Sequence, residues 1–455
     1  MLYNIMGLSL GVGLSAGLDT LVSQANGACM YERSGIYFQR AVVVCTLVCI
    51  PSSLVLFFTE DMLVAIGQDP GIAARAGQYV RGTMISLWPM YISSAISTYL
   101  RAQTLPEASV YATWGSNVFH VFSSWFFICY LRMGAFGAGL AFTATQLLSF
   151  SILLGYVQCV RPGVTKHSWI PLDLRRASSN LWSFLDKALP CAMLMWAEWW
   201  CAEVMTLMAG YLGVVALASH TAVMQCFVLI YMTAGGIACA GAALVGNAIG
   251  AGSPGLARRS AAVATAVMVA VAAGIDLALI AGSEEIGRLF TDDSAVRDTI
   301  SVLLRILLVV VPLDSLQTVI DGILRGLGKQ AVAFKVKLCC MWGVRFPLAL
   351  LLGFYTDMGV AGIWLGSVGG LVVTMAIYIA LALRIDWDSE ASACDLAYRA
   401  LTSPGAKDVG DASPAQEYSS PKVPGLCRGP SVHDQWVMAG GPGELSSSEE
   451  GGRQR

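Results

Sequence analysis

Uncharged apolar runs of about twenty residues or more recur along this chain, and they leave few folds open. The stretch GVAGIWLGSVGGLVVTMAIYIALAL (Gly359–Leu383) carries no charged side chain. About 20 such residues in a helix cross the roughly 30 Å of hydrocarbon in a bilayer. In that medium each spanning segment must satisfy its own backbone hydrogen bonds, which a helix does. Only 13% of the 455 residues are charged and the mean hydropathy is +0.64, where a soluble domain carries about 25% charge. The composition therefore predicts an all-α, multi-spanning membrane protein.

Eleven spans are predicted, over 1–25, 36–58, 78–103, 109–130, 136–159, 183–211, 216–249, 257–282, 299–325, 331–353 and 359–384. Most are too apolar all round for surface helices. From 386 to 455 the apolar runs stop and Ser, Gly, Pro and acids take over, so this tail is expected to be disordered and aqueous. Lys and Arg gather in alternate connections. One set holds Arg33 and Arg40, Arg101, the loop 161–182 with Lys187 just beyond it, Arg258 and Arg259, and the group from Arg325 to Lys337. The other set is sparse, with Arg75, Arg81, Arg132, Arg288 and Arg297. The positive-inside rule makes the basic set, and with it the tail, cytoplasmic.

LVSQANGA (Leu21–Ala28) returns as LVGNAIGA (Leu244–Ala251), an offset of 244 − 21 = 223. WPMY (Trp88–Tyr91) aligns with VPLD (Val311–Asp314) at 223, YLRAQ (Tyr99–Gln103) with ILRGL (Ile323–Leu327) at 224, and MGAFGAGL (Met133–Leu140) with MGVAGIWL (Met358–Leu365) at 225. Four pairs in order, pointing the same way through the membrane, predict parallel repeats. The expected organisation is an N-lobe over 1–160, a cytoplasmic linker over 161–182, a C-lobe of six helices over 183–385, and the tail over 386–455. Subtracting the offset from the helix at 183–211 places its partner before residue 1. The expectation is thus a first lobe without its first helix, in a chain shortened at its N-terminus.

Polar side chains at membrane depth face a bundle interior or a wet cavity. Glu198 lies mid-span in 183–211, with Glu203 five residues on. Asp314 lies mid-span in 299–325, two residues after Pro312, and Asp321 follows nearer the basic end. His120 is mid-span in 109–130, and Arg345 is an isolated cation in 331–353. A carboxyl in low dielectric resists ionising, so it can exchange a proton near neutral pH and, once ionised, attract a cation. Trp196, Trp199 and Trp200 beside Glu198 could hold an organic cation by cation–π attraction. Asp314 is the repeat counterpart of Tyr91, so acids at depth concentrate in the second lobe.

The sequence contains no P-loop, HExxH or GxSxG motif, so no enzyme activity, ATP site or other cofactor is expected. Most of the thirteen Cys sit inside apolar runs without metal spacing, where a thiol packs as a small hydrophobe. No basic patch with interleaved aromatics points to nucleic acid.

AEWWCAEV (Ala197–Val204), IYMTAGGIACAGAALVGNAIGAGSPGLAR (Ile230–Arg258), DSLQTVIDGILRGLGKQ (Asp314–Gln330), LDTLVSQANGA (Leu18–Ala28) and FHVFSSWFFICYLRMGAFGAGLA (Phe119–Ala141) together resemble the eukaryotic branch of the multidrug and toxic compound extrusion (MATE) family. The resemblance covers residues 1 to about 385. It implies two six-helix lobes forming a V, here with about eleven helices present. It also implies antiport, in which cations, commonly protons, enter while organic cations or secondary metabolites leave. By motif position, Glu198 and Glu203 match the family's acids after the linker. Asp314 matches its acid in the fourth helix of the second lobe, and Asp19 the acid before the SQANGA-like turn. With Trp199, Tyr231 and His120 these form the candidate proton- or substrate-binding set. The expected partners are a small organic solute, protons and the lipid bilayer, in a plasma or vacuolar membrane. Two alternatives stand beside this reading: a flippase for lipid-linked substrates, which needs cavity cations to hold phosphates, and a shortened paralogue that does not transport.

Overall fold

The computed structural model describes residues 3–65, 67–160 and 168–402. Every regular element in them is helical. The long helices are α1 (Tyr3–Gly27), α2 (Tyr31–Phe57), α3 (70–102), α4 (107–130), α5 (Gly134–Cys159), α6 (Trp182–Tyr211), α7 (Val214–Gly250), α8 (Pro254–Phe290), α9 (Ser294–Gly326), α10 (Gln330–Phe354) and α11 (Gly359–Leu383). Eight of these eleven are long and apolar enough to cross a membrane; α3, α4 and α6 are the others. The shortfall in α6 has a physical cause, because Asp186, Lys187, Glu198 and Glu203 all lie on it.

Capping explains several boundaries. Asp69 accepts from the amides of Gly71 and Ile72 while Pro70 occupies the first helical position of α3. Asp293 accepts from the Ala295 amide to start α9.

The apolar interior forms two cores. One gathers buried residues from Tyr3 to Val157 together with Phe184, Ala188 and Ala192. The other runs from Cys201 to Ala391. Helix α6 therefore serves both, its first turns lying on the first core. A Cβ at Gly13 would stand 2.5 Å from the Ala192 backbone, and one at Gly17 would stand 2.7 Å from that of Ala188. Small residues bring α1 and α6 into close contact, as membrane helices require when no hydrophobic drive separates them from lipid.

The repeated stretches meet each other. Gln24 Nε2 donates to the Gly326 carbonyl at 2.9 Å, and Asn247 Nδ2 donates to the Ala102 carbonyl at 2.8 Å. The two bonds are copies: 247 − 24 = 223 and 326 − 102 = 224, the sequence offsets. Steric contacts repeat too. A Cβ on Gly27 would stand 2.1 Å from the Asn247 carbonyl oxygen, and one on Gly250 would stand 2.0 Å from that of Gln24. The repeated spacing of amide and glycine is thus the signature of a pseudo-twofold lock at the basic end of the bundle. Asn26 adds a bond to Asn247 at 2.7 Å.

Two expectations are corrected. Residues 387–402 are not irregular: they form α12 (Trp387–Thr402). Trp387, Ala391 and Cys394 pack on the second core and Tyr398 on the first. Their spacing of four, three and four residues makes one helical stripe, which the acid-rich composition between them hides. Glu390 also pairs with Lys329 at 2.5 Å, tying α12 to the turn after Gly326. Residues 403–455, the rest of the expected tail, lie outside the described residues. The second correction concerns Lys337, grouped above with loop charges. It sits on α10, 7% exposed, inside the second half of the bundle.

The linker lies outside the described residues over 161–167. Beyond it, Ser168 donates to Gln103 Oε1 at 2.8 Å, Gln39 Nε2 donates to the Pro171 carbonyl at 2.8 Å, and the Trp169 ring lies 5.1 Å from that of Phe38. These bonds dock the linker against α2 and α3.

Candidate functional site

A cavity of ≈ 370 Å³ opens among α6, α7, α9, α10 and α11, with Asn4 of α1 also on its wall, at the small end of the ~300–1,000 Å³ typical of ligand sites. Glu198, Glu203 and Trp199 reach it from α6, Tyr231 from α7 and Asp314 from α9. Five of the seven candidate residues therefore share one space. Of the three neighbouring tryptophans only Trp199 lines it; Trp196 and Trp200 pair with each other edge to face, with centroids 5.8 Å apart.

Lys337 reorganises the reading of this site. Its ammonium lies 2.6 Å from Glu198 Oε1 and 2.5 Å from Asp321 Oδ2. The outer oxygens of both acids are also occupied. Tyr231 donates to Glu198 Oε2 at 3.4 Å, and Tyr378 donates to Asp321 Oδ1 at 2.5 Å. The chain Tyr231–Glu198–Lys337–Asp321–Tyr378 holds two carboxylates around one cation. With both acids ionised it carries one net negative charge; one added proton neutralises it. Burying ions costs several kcal/mol each unless they are paired and hydrogen-bonded, and here each is. Asp321, placed near the basic end from sequence, is a full member of this network. The signal for Lys337 was present in its position well inside the predicted span 331–353, where a cation needs a partner.

Asp314 stands differently. Its carboxylate lines the cavity without a hydrogen bond or ion pair among the described residues. Pro312 removes one helical donor two residues earlier, and Thr318 donates back to the Asp314 carbonyl at 2.9 Å. Gln317 Nε2 donates to the Leu371 carbonyl at 2.8 Å, fixing α9 to α11 behind the acid. In the first repeat the equivalent Tyr91 is fully buried and donates to the Gly7 carbonyl at 2.7 Å. A Cβ on Gly11 would fall 2.0 Å from the Tyr91 ring. The tyrosine thus fills the volume that the second repeat leaves open beside its acid.

Two candidates lie elsewhere. Asp19, 1% exposed, faces Arg325 across the lock at 4.0 Å. Arg101 and Arg325 are repeat equivalents, but Asp19 aligns with Ala242, so one acid serves where the repeat supplies two cations. His120 sits on α4, with Nδ1 2.8 Å from Thr145 Oγ1 and Nε2 3.4 Å from Ser124 Oγ. Neither residue lines the cavity.

Helical units that repeat, close on each other at one end and enclose an ionisable cavity in one of them define a secondary-transporter class of membrane protein. The chain belongs to the MatE family, whose profile matches residues 1–126 and 190–351. These are the multidrug and toxin extrusion transporters, multi-pass membrane proteins that move small organic substrates. Protein DETOXIFICATION 37 of Arabidopsis thaliana is 29% identical over 390 residues, covering 85% of this chain and 77% of that protein. Multidrug and toxin extrusion protein 1 of Pongo abelii is 27% identical over 384 residues, 84% of this chain and 67% of the relative. The crystal structure of the eukaryotic MATE transporter AtDTX14 superposes with a TM-score of 0.82 at 25% identity, covering 87% of this chain and 88% of that one.

Proposed function

We propose that this chain is a proton-coupled antiporter that exports small organic cations and related solutes, with the Glu198–Lys337–Asp321 network as its proton-exchanging element. The observation that carries this reading is Glu198 itself: one carboxylate is shared between an internal cation, a phenol and the solute cavity. A proton and an organic cation both compete with Lys337 for that carboxylate, and mutual exclusion at one acid is what exchange needs. The two cores are the lobes that rock. The lock at Gln24 and Asn247 lies at the basic end, which the positive-inside rule makes cytoplasmic, so the conformation described is closed to the cytoplasm. Access then switches when the two amide bonds and the Asp19–Arg325 contact open together.

The test of coupling is uptake of a quaternary ammonium such as tetraethylammonium into liposomes holding the protein, with and without an imposed proton gradient. Uptake is expected to follow the gradient and to collapse when a protonophore is added. Uptake indifferent to the protonophore contradicts proton coupling.

The orientation has its own check. Ser178 is exposed in the linker. In a background lacking Cys129, Cys159 and Cys339, the exposed cysteines among the described residues, and Cys427, which lies outside them, Ser178→Cys is expected to react with an impermeant thiol reagent only from the cytoplasm. Labelling from outside intact cells would reverse the orientation.

A further inference from the structure

Arg345 is the one cation among the described cavity-lining residues that the proton network does not absorb. It closes the π-helical turn Met341–Arg345 of α10, just before Pro347. Such wide turns inside α-helices occur often at functional sites. Its seat is built for it: a Cβ on Gly370 of α11 would lie 2.4 Å from Arg345 Cβ and 2.8 Å from Arg345 Cα. Any side chain at 370 would push the arginine away. The guanidinium has no hydrogen bond or ion pair among the described residues, and its Nε is buried without a partner. It nonetheless lines the same cavity as Glu203 and as Asp314, whose carboxylate likewise has no hydrogen bond or ion pair among the described residues. Lys337 is not comparable, since Glu198 and Asp321 already neutralise it.

A guanidinium and a carboxylate, Arg345 and Asp314, each without a hydrogen bond or ion pair among the described residues and set around one small aromatic-walled space, describe a complement, not an accident of packing. Leaving such charges unmatched at membrane depth is costly. A solute that brings an oxyanion to the guanidinium and a cationic nitrogen to Asp314 satisfies both. The guanidinium fork fits a carboxylate with two parallel hydrogen bonds. Trp199, Phe227, Tyr231 and Trp364 supply apolar contact and cation–π surface.

We propose that Arg345 is an anion subsite and that the C-terminal cavity selects zwitterionic organic solutes, those carrying both a cationic nitrogen and a carboxylate. This inference rests on the transport reading above but concerns which solute the cavity prefers. A site built to hydrogen-bond a substrate group rejects the analogue that lacks it, because its own polar groups are left unpaired.

The test uses a matched pair of probes, N,N,N-trimethylphenylalanine and trimethyl(2-phenylethyl)ammonium, which differ only in the carboxylate. Binding is read as the ligand-induced rise in melting temperature of the purified protein, and transport as gradient-driven uptake in liposomes. The wild type is expected to bind the zwitterion at least tenfold more tightly than the cation. In Arg345→Gln that ratio should fall at least tenfold, with Arg345→Lys in between because it keeps the charge but not the fork. Gly370→Ala displaces the guanidinium while every charge remains, so it should lower the ratio too and gives a reading if Arg345→Gln does not fold. No wild-type preference for the zwitterion, or a ratio within threefold of wild type in both Arg345→Gln and Gly370→Ala, overturns the proposal. The binding arm needs no proton coupling. Gradient-driven uptake of the plain cation reports on the antiport reading by itself, so the two ideas can fail separately.

Discussion

Lys337→Met is expected to be the most destabilising single change in the bundle, by about 3–5 kcal/mol. The side chain is 7% exposed and holds two carboxylates at 2.6 Å and 2.5 Å. Methionine fills much the same volume but removes the cation that both acids contact, so Glu198 and Asp321 are left facing each other in a space that cannot solvate them. The loss should appear as a lowered melting temperature in detergent. It should also be non-additive: Asp321→Asn in the Lys337→Met background removes one of the two orphaned charges and should restore part of the stability. Coupling of ~0.5–3 kcal/mol is the usual range for residues in one network. A double variant whose loss equals the sum of the two single losses contradicts the account of a single charge-balanced unit.

Gly27→Val is the second large effect expected, this time on access. The first carbon added would lie 2.1 Å from the Asn247 carbonyl oxygen, well inside ordinary van der Waals contact, and the obstacle is backbone that no side-chain rotation can clear. The basic end cannot then close around Gln24 and Asn247. Thr20 is 1% exposed and donates to the Arg325 carbonyl in the same lock. A Cys introduced at Thr20 should be inert to an impermeant thiol reagent in the otherwise wild-type protein and reactive, from the basic side, once Gly27→Val is added. Gly250→Val, the repeat equivalent, should do the same. An unreactive Cys in both variants would mean that the lock tolerates the added bulk and does not control access.

Much of this architecture was legible before any coordinates. Span lengths follow from bilayer thickness, and the repeat was readable because its residues are constrained by touching one another: Gly27 and Gly250 each face the other copy's amide-bearing residue. Glu198, Glu203 and Asp314, which line one cavity, were singled out because an acid at membrane depth has few uses. What escaped was pairing. Nothing local to Lys337 shows that Glu198, 139 residues away, is its partner, and counting it with neighbouring loop charges hid its burial. The same limit hid α12. Trp387, Ala391, Cys394 and Tyr398 form a stripe only when the surrounding acids are read as its solvent face. Asp19, taken from the resemblance as a proton- or substrate-binding candidate, has Arg325 in the lock as its neighbour. Its asymmetry with Ala242 is visible in sequence only after the repeat has been aligned.

The central claim is that Glu198 binds either a proton or a solute cation, with Lys337 as the tethered competitor. Transport of tetraethylammonium measured against external pH, for wild type and Glu198→Gln side by side, tests it most directly. Glutamine keeps the size and one oxygen, which can accept from Lys337 while its amide N–H donates to the Tyr231 hydroxyl oxygen, but it cannot gain or lose a proton. The account predicts that Glu198→Gln reaches the membrane folded and loses gradient-driven transport at every pH, with Asp314→Asn showing a weaker loss. A Glu198→Gln protein that transports with the wild-type pH dependence would make Glu198 a structural acid and contradict the mechanism.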